Sequence, residues 1–462
     1  IIMIYIFWEL VGFCSYALIA YYYKDPKAVR AGTKAFVVTR IGDTGFLIAI
    51  VALWNSTGST SLTEIMHSPP PETNLLLALA GFGVLLGAIG KSAQFPLHVW
   101  LPDAMEAPTT ISALIHAATM VNAGVYLVAR TYPIFAVIEW WTVAVVIIGA
   151  FTAFLTATLA LAEPDLKRVL AYSTVSQLGY MLSAAGAGAI LACEFHLVSH
   201  AIFKALLFLC AGAVIHAVGT RNMYEMGGLS KHMKITNAMF LIGMLALAGI
   251  PIFNGFWSKD MVISSTYEAG YMGASLLLII TAFLTAIYSW RMYYLVFLGK
   301  KRTEAKAHDP PAEMSVPLII LGISAVISWA LIDMFSEGLE YSVAHGYGVE
   351  HITLMEMVEH VFMNPLVAVS LISLVIIIGL ALGYKDRMLQ FMRDEKKFIV
   401  NALRKGLWFD DVYMVEVRGL FLVGRGASYT QTGDVNYNLA GIVMGAIAII
   451  IVLLVWNMGV VV

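Results

Sequence analysis

An all-α protein that crosses a membrane about twelve times is predicted by three features of the 462-residue sequence. Hydrophobic residues make up 60% of it, charged residues only 13%, and the apolar residues gather in long runs separated by short polar loops. An ordinary soluble domain carries about 25% charged residues, so a soluble enzyme and a disordered tail are both excluded. A net charge of −2 supplies no basic field for a nucleic acid. The runs are continuous rather than short and alternating, which argues against a membrane β-barrel. Cys14, Cys193 and Cys210 stand far apart, so neither a disulfide framework nor an iron–sulfur site is encoded. No nucleotide-binding glycine motif is present; Gly81-Phe-Gly83 lies inside an apolar run and reads as helix packing.

A bilayer core of ~30 Å takes about 20 helical residues. On that measure the spans fall near 1–23, 34–54, 75–100, 108–130, 137–162, 169–186, 190–217, 236–266, 273–298, 315–335, 364–384 and 438–458. Lysine and arginine crowd the alternate loops: 24–34, 167–168, 221–234, 300–306 and the stretch 385–425. The opposite set offers only Arg130, at a span end, and its 336–363 loop is acidic. Basic loops stay in the cytoplasm, so the first span is expected to run inward and the C-terminus to lie outside. Ile1 is not a methionine and helix begins at once, which reads as an internal piece of a longer membrane chain, with Met3 as an alternative start.

Within 385–437, Met388, Phe391, Met392, Phe398, Ile399 and Leu403 recur near helical spacing among basic residues. An amphipathic helix lying along the cytoplasmic surface fits this pattern better than a basic soluble loop, and Gly406, Gly424 and Gly426 predict that it is broken. Trp8, Trp100, Trp140, Trp141 and Trp456, near span ends, read as interface anchors.

Charge at bilayer depth costs about 2.5–3.5 kcal/mol even on the lenient insertion scale, so each deep ionisable residue calls for a partner or a task. The deep ones are Glu9, Lys91, His116, His196, His200, Lys204 and Lys259, while Arg40 and Asp43, three apart, can satisfy one another. Lys91 precedes Pro96 in Gly87-Ala-Ile-Gly-Lys91-Ser-Ala-Gln-Phe-Pro96, so the helix is expected to break there. Lys259 repeats the arrangement in Gly249-Ile-Pro251-Ile-Phe-Asn-Gly255-Phe-Trp-Ser-Lys259. Two long spans broken by Pro and Gly, each with a lysine, suggest corresponding halves of an inverted repeat. The plainer alternative is a kinked helix whose lysine snorkels to the interface.

His196, His200 and Lys204 stand at i, i+4 and i+8, which puts them on one helix face over ~12 Å. Paired histidines can bind a metal, but no H-E-x-x-H carboxylate accompanies them and the lysine would repel a cation, so no metal site is assigned. Histidines bonded to neighbouring helices are a second reading. A proton relay is favoured, because histidine titrates near neutral pH. His116 alone would read as a packing residue. In the outer loop, His345, His351 and His360 stand among glutamates, where a solvated loop outweighs a metal site.

Taken together, these segments resemble the antiporter-like proton-channel subunits of respiratory complex I and its relatives. The resemblance rests on Trp8-Glu9, Phe36-Val-Val-Thr-Arg40-Ile-Gly-Asp43, Gly90-Lys91-Ser-Ala-Gln-Phe-Pro96, Trp100-Leu-Pro-Asp103-Ala-Met-Glu-Ala-Pro108 and Ser112-Ala-Leu-Ile-His116. It continues through Lys167-Arg-Val-Leu-Ala-Tyr-Ser173-Thr-Val-Ser-Gln177, the His196/His200/Lys204 run, Met226-Gly-Gly-Leu229 and Phe256-Trp-Ser-Lys259-Asp260, over about residues 7–300. Within that family the chain is most similar to the largest, distal member, which carries extra C-terminal helices and a lateral helix.

The resemblance implies two inverted five-helix repeats with broken helices, and further helices ahead of Ile1. Residues 1–130 would form most of the first repeat and 137–298 the second. Additional helices would occupy 315–384, the lateral segment 385–437 and a terminal span 438–462. It assigns Glu9 as the carboxylate partner of Lys91, His116 as the bridge to Lys204, His196 and His200 as wires to that central lysine, and Lys259 as the terminal proton-exchange group. Arg40 and Asp43 are supporting. The chain itself would bind no cofactor; flavin, iron–sulfur clusters and a quinone would belong to other subunits. Its partners would be other membrane subunits, protons and lipid, in a prokaryotic cell membrane or another energy-conserving membrane. A subunit of a multi-subunit Mrp-type cation/proton antiporter, or of a membrane-bound hydrogenase, is the alternative.

Overall fold

The computed structural model describes residues 1–71, 75–342, 351–363, 385–394, 396–428, 439–440 and 443–447. Among these the backbone is helical, with no strand beyond a single antiparallel bridge between Asp165 and Asn222. The helices are α1 (Ile2–Ile19), α2 (Pro26–Thr57), α3 (Leu62–His67), α4 (Leu75–Lys91), α5 (Trp100–Asp103), α6 (Thr109–Ala117), α7 (Met120–Phe135) and α8 (Glu139–Ala160). They continue with α9 (Leu166–Gly186), α10 (Ile190–Val218), α11 (Lys234–Ala248), α12 (Asn254–Glu268), α13 (Met272–Val296), α14 (Ala312–Ile327), α15 (Ile332–Ser342) and α16 (Leu354–Met363). Last come α17 (Lys385–Arg393), α18 (Phe398–Arg404) and α19 (Phe409–Ser428).

Local chemistry sets the ends. Asp25 caps α2 by accepting from the Lys27 amide, and Pro26 opens the helix where its missing N–H costs nothing. Asp165 caps α9, accepting from Lys167 N and Arg168 N. Gly249, at φ 77°, closes α11 in the left-handed conformation.

Seven described stretches are long and apolar enough to cross a bilayer: Ile2–Ile19, Pro26–Thr57, Thr109–Phe135, Glu139–Ala160, Ile190–Val218, Met272–Val296 and Ala312–Leu339. The expected spans near 75–100 and 236–266 are each split, leaving the shorter apolar helices α4 and α11. The expected span near 169–186 is α9, whose residues are all buried except Arg168, so neighbouring helices rather than lipid surround it. The spans expected at 364–384 and 438–458 lie outside the described residues apart from 439–440 and 443–447.

The chain divides into two compact units, Ile1–Arg404 and Lys405–Val462. In the first, α2 lies along α4 and α8 along α9, while α10 packs against α6, α9, α11 and α12. Among its described residues the amphipathic segment holds three α-helices, α17 to α19. Leu389, Met392 and Leu403 pack on the core of the first unit, Phe398 and Ile399 are exposed, and Arg404 Nε donates to Ala162 O at 3.1 Å. Near the start of the second unit a short turn of helix runs over Gly406–Trp408, with Leu407 at φ 54°. Its helix α19 then runs through Gly424 and Gly426, so of the three glycines only Gly406 marks a break.

Candidate proton-relay site

Glycine lets two helices meet where the first buried charge sits. Gly42 of α2 faces α4 so closely that a Cβ there would lie 2.8 Å from Leu86 O and 3.0 Å from Gly90 Cα. This contact brings Asp43 under Lys91, with Lys91 Nζ donating to Asp43 Oδ2 at 3.0 Å, both side chains buried. Trp8 Nε1 donates to the other oxygen, Oδ1, at 2.6 Å, and the Lys91 ammonium lies 5.6 Å from a Trp8 ring centroid, within cation–π range. Gly12 makes room for the ammonium: a Cβ there would stand 2.7 Å from Nζ. A cavity of about 340 Å³, lined by Met3, Phe7, Trp8, Val11, Ala123 and Tyr126, reaches Lys91 from the α1 and α7 side.

The pairing differs from the expected one. Glu9 accepts from Arg40 Nη1 rather than from Lys91. Arg40 Nε stands 4.0 Å from Asp43 Oδ2, so the charges run Glu9, Arg40, Asp43, Lys91. The reason is geometric. Successive helical residues are turned by about 100°, so when Trp8 points at Asp43, Glu9 points further round α1 toward Arg40.

The break after Lys91 falls where Pro96 predicts it. Gln94 N returns to Ile89 O, Trp100 Nε1 donates to Gly90 O at 3.1 Å, and Phe95 N donates to Thr152 Oγ1, so the freed backbone groups find partners inside the protein. The second break, at 249–253, is also where Gly249 and Pro251 place it, but Lys259 stands beyond it, well inside α12. The side chain reaches back across the gap, and Nζ donates to Leu247 O at 2.7 Å. A third break, at Ala118–Thr119 between α6 and α7, was not expected and follows directly on His116.

On α10 the three predicted groups share one buried face. Lys204 Nζ donates to Leu170 O at 3.2 Å and to the Ser173 hydroxyl. His196 lies between Ser258 Oγ, 2.9 Å from Nδ1, and Gln177 Oε1, 3.0 Å from Nε2. His200 is edge-on to Phe203, and His116 of α6 lies 4.8 Å, ring to ring, from Phe208 of α10. Both ring nitrogens of His200 and of His116 are buried without a protein partner. Lys259 Nζ stands 5.6 Å from the Tyr180 ring centroid.

The polar residues of α9 were the principal omission from the sequence reading. Leu170, Ser173, Gln177 and Tyr180 recur at helical spacing and meet Lys204, His196 and Lys259 in turn. Other buried ionisable groups were passed over, Arg291, Lys167, Glu194 and Asp260 among them. Arg291 is buried, and its Nη2 donates to Ala160 O and Glu163 O, closing the end of α8. Lys167 is buried and donates to Met105 O and Ala107 O. Glu194 and Asp260 each bury an oxygen without a partner.

The anchor reading of the tryptophans needs correction. Trp8, Trp100 and Trp141 are buried, each indole N–H bonded inside the bundle, the last to Gly81 O at 2.7 Å. A buried indole needs an acceptor, and the helix interior supplies one. Trp140 is exposed, and Trp456 lies outside the described residues. His360 meets Glu268 Oε1 at 3.2 Å, and among the described residues no three His, Cys, Asp or Glu side chains are gathered as a metal site.

A helical membrane bundle with Lys91 at one helix break, Lys259 reaching back across a second and a buried histidine–lysine row defines an antiporter-like membrane subunit. The chain belongs to the NADH:quinone oxidoreductase/Mrp antiporter transmembrane family, whose model matches residues 1–285, the stretch that holds every relay candidate. It is 45% identical to the F(420)H(2) dehydrogenase subunit L of Methanosarcina mazei, over 75% of this chain and 57% of that one. It is 40% identical to the NAD(P)H-quinone oxidoreductase chain 5 of a Picosynechococcus species, over 95% of this chain and 71% of the relative. Among solved structures it is similar to the Mrp complex from a Dietzia species, with a TM-score of 0.76 and 27% identity, covering 98% of this chain and 49% of that one.

Proposed function

We propose that the chain is a proton-translocating membrane subunit of a complex I-type, redox-driven pump. The observation that carries this reading is the buried series Asp43–Lys91, His116, Lys204, His200, His196 and Lys259, proton-carrying side chains held inside the bundle. Glu9 and Arg40 adjust the first pair from its edge. In this reading protons pass between half-channels through these groups, and His116 of α6, packed on Phe208 of α10 one turn beyond Lys204, joins the first repeat to the second. Electron transfer to a quinone or similar acceptor takes place in other subunits, which also hold the flavin and iron–sulfur clusters. The two inverted repeats, the lateral placement of 385–437 along the cytoplasmic face and the outside C-terminus belong to the same proposal. The likeness to the F(420)H(2) dehydrogenase subunit L and the NAD(P)H-quinone oxidoreductase chain 5 supports the redox-driven assignment.

The test is Lys204→Ala in the full-length subunit, in its assembled complex in vesicles. Proton movement should fall at least about tenfold while the complex stays assembled, since a methyl group carries no proton; normal pumping would overturn the relay. The likeness to the Mrp complex favours a second reading, a subunit of a cation/proton antiporter. Co-purification with flavin and iron–sulfur subunits separates the two.

A further inference from the structure

His196 is held in a way that leaves its charge to one neighbour. The Ser258 hydroxyl lies 2.9 Å from Asn254 O and can place its single proton on that bond. In that arrangement its oxygen accepts from His196, with a proton on Nδ1, 2.9 Å away. The other ring nitrogen, Nε2, faces Gln177 Oε1 at 3.0 Å, and a carbonyl oxygen also only accepts. With the serine proton on Asn254 O, both contacts are satisfied together by the imidazolium. The Gln177 amide nitrogen, meanwhile, is buried with no partner. Rotating the carboxamide by half a turn exchanges the two ends. The amide N–H then donates to a bare Nε2, and the ring is neutral with its proton on Nδ1.

We propose that Gln177 is a positioning residue whose carboxamide flips with the protonation of His196, matching an acceptor to the imidazolium and a donor to the neutral ring. The step balances simply. A proton arriving from a neighbouring relay group bonds to Nε2 as the amide N–H leaves it, Oε1 turns in to accept, and the reverse flip accompanies release. An amide serves here where a carboxylate would not, because a carboxylate stabilises only the charged ring and would retain the proton. Other groups facing the imidazole are Tyr180 from α9, at 6.3 Å between rings, Lys259 from α12, and His200 from its own helix. None of these can offer both a donor and an acceptor to Nε2 as Gln177 does at hydrogen-bond distance.

This inference rests on the relay reading, and the experiment keeps the two apart. Proton pumping against pH is measured for the full-length subunit in its complex, with Gln177→Glu, Gln177→Leu and His196→Leu. Gln177→Glu should move the pH profile to the alkaline side by about one unit or more, since it strengthens the hold on the proton. Gln177→Leu, which removes the acceptor from the imidazolium, should move it to the acid side. A purely structural glutamine would give losses equal at every pH with an unmoved profile, which would overturn the proposal. Should one variant not assemble, the displacement of the other from wild type decides. If His196→Leu pumps normally, the relay reading fails at this residue. If His196→Leu is impaired and neither Gln177 profile moves, only the role of Gln177 fails.

Discussion

Lys91 Nζ lies 3.0 Å from Asp43 Oδ2, and the carboxylate's second oxygen is taken by the Trp8 indole at 2.6 Å. Asp43 is thus the counter-charge to Lys91, and Glu9 acts one step removed, through Arg40. Two unit charges at ~4 Å and an effective dielectric of ~20 interact by about 4 kcal/mol, so moving Asp43 changes how firmly Lys91 holds its proton. Asp43→Asn should therefore abolish most proton movement in the full-length complex, while Glu9→Gln retains an intermediate fraction. Pumping assays on both variants check the order; a Glu9 variant more damaged than Asp43→Asn would reverse it.

Lys91→Arg should fail although it keeps the charge, because a guanidinium does not release a proton in the physiological range. Normal pumping by this variant would make Lys91 a fixed charge and route the relay elsewhere.

Gly12 supplies the space into which the Lys91 ammonium points. Gly12→Ala should displace the ammonium from Asp43 and reduce pumping several-fold, since misplacing a reacting group by ~1 Å can cost 10²-fold in rate. Gly273→Ala, on α13 where a Cβ meets nothing within 4 Å, should pump as wild type. Equal activity of the two variants would contradict the tight fit at Lys91.

Sidedness follows from the basic loops. Cysteines placed at 59–61 and 351–353 should react with an impermeant thiol reagent from outside, and those at 24–30 and 303–308 should not. The reverse labelling would invert every half-channel.

How far the sequence carried the reading depended on whether the cause was local. Pro96, Gly249 and Pro251 announce the first two breaks, because proline and glycine act on their own turn of helix. The break at Ala118–Thr119 has no such residue. It is held by Asn122 Nδ2 donating to Ala117 O at 2.7 Å and by Ser92 Oγ, distant in sequence, donating to Val121 O at 2.7 Å. The His196, His200 and Lys204 face was legible because a 3.6-residue period fixes it. The exchange of partners among Glu9, Arg40, Asp43 and Lys91 was not, because it depends on how closely Gly42 lets α2 approach α4. Lys167 and Arg168 look alike in the sequence as loop cations, yet burial separates them.

That separation gives a last prediction. The linker around α5 is tied to neighbouring helices in two ways. Asp103 takes Lys34 of α2 at 2.7 Å and Arg168 of α9 at 2.8 Å, all partly exposed. Lys167, buried, donates to Met105 O at 2.8 Å and Ala107 O at 2.6 Å. Exposed ion pairs contribute about 0–1 kcal/mol each, because water solvates the separated charges nearly as well. Bonds from a charged donor contribute about 1.5–3 kcal/mol, and losing the lysine takes the Nζ donor from Ala107 O while Met105 O keeps Arg221 Nη1 at 2.9 Å. Lys167→Met should therefore destabilise the protein by about 2–3 kcal/mol after the lysine's own desolvation cost is offset, and Asp103→Asn by less than about 1 kcal/mol. Hydrogen exchange over residues 97–107 and thermal unfolding in detergent read both effects. The linker carries Met105 and Ala107 to the first turn of α9, and α9 carries Ser173 to Lys204, so Lys167→Met should also loosen exchange protection along 166–173. If Asp103→Asn has the larger effect, the exposed charges rather than the buried lysine hold the linker.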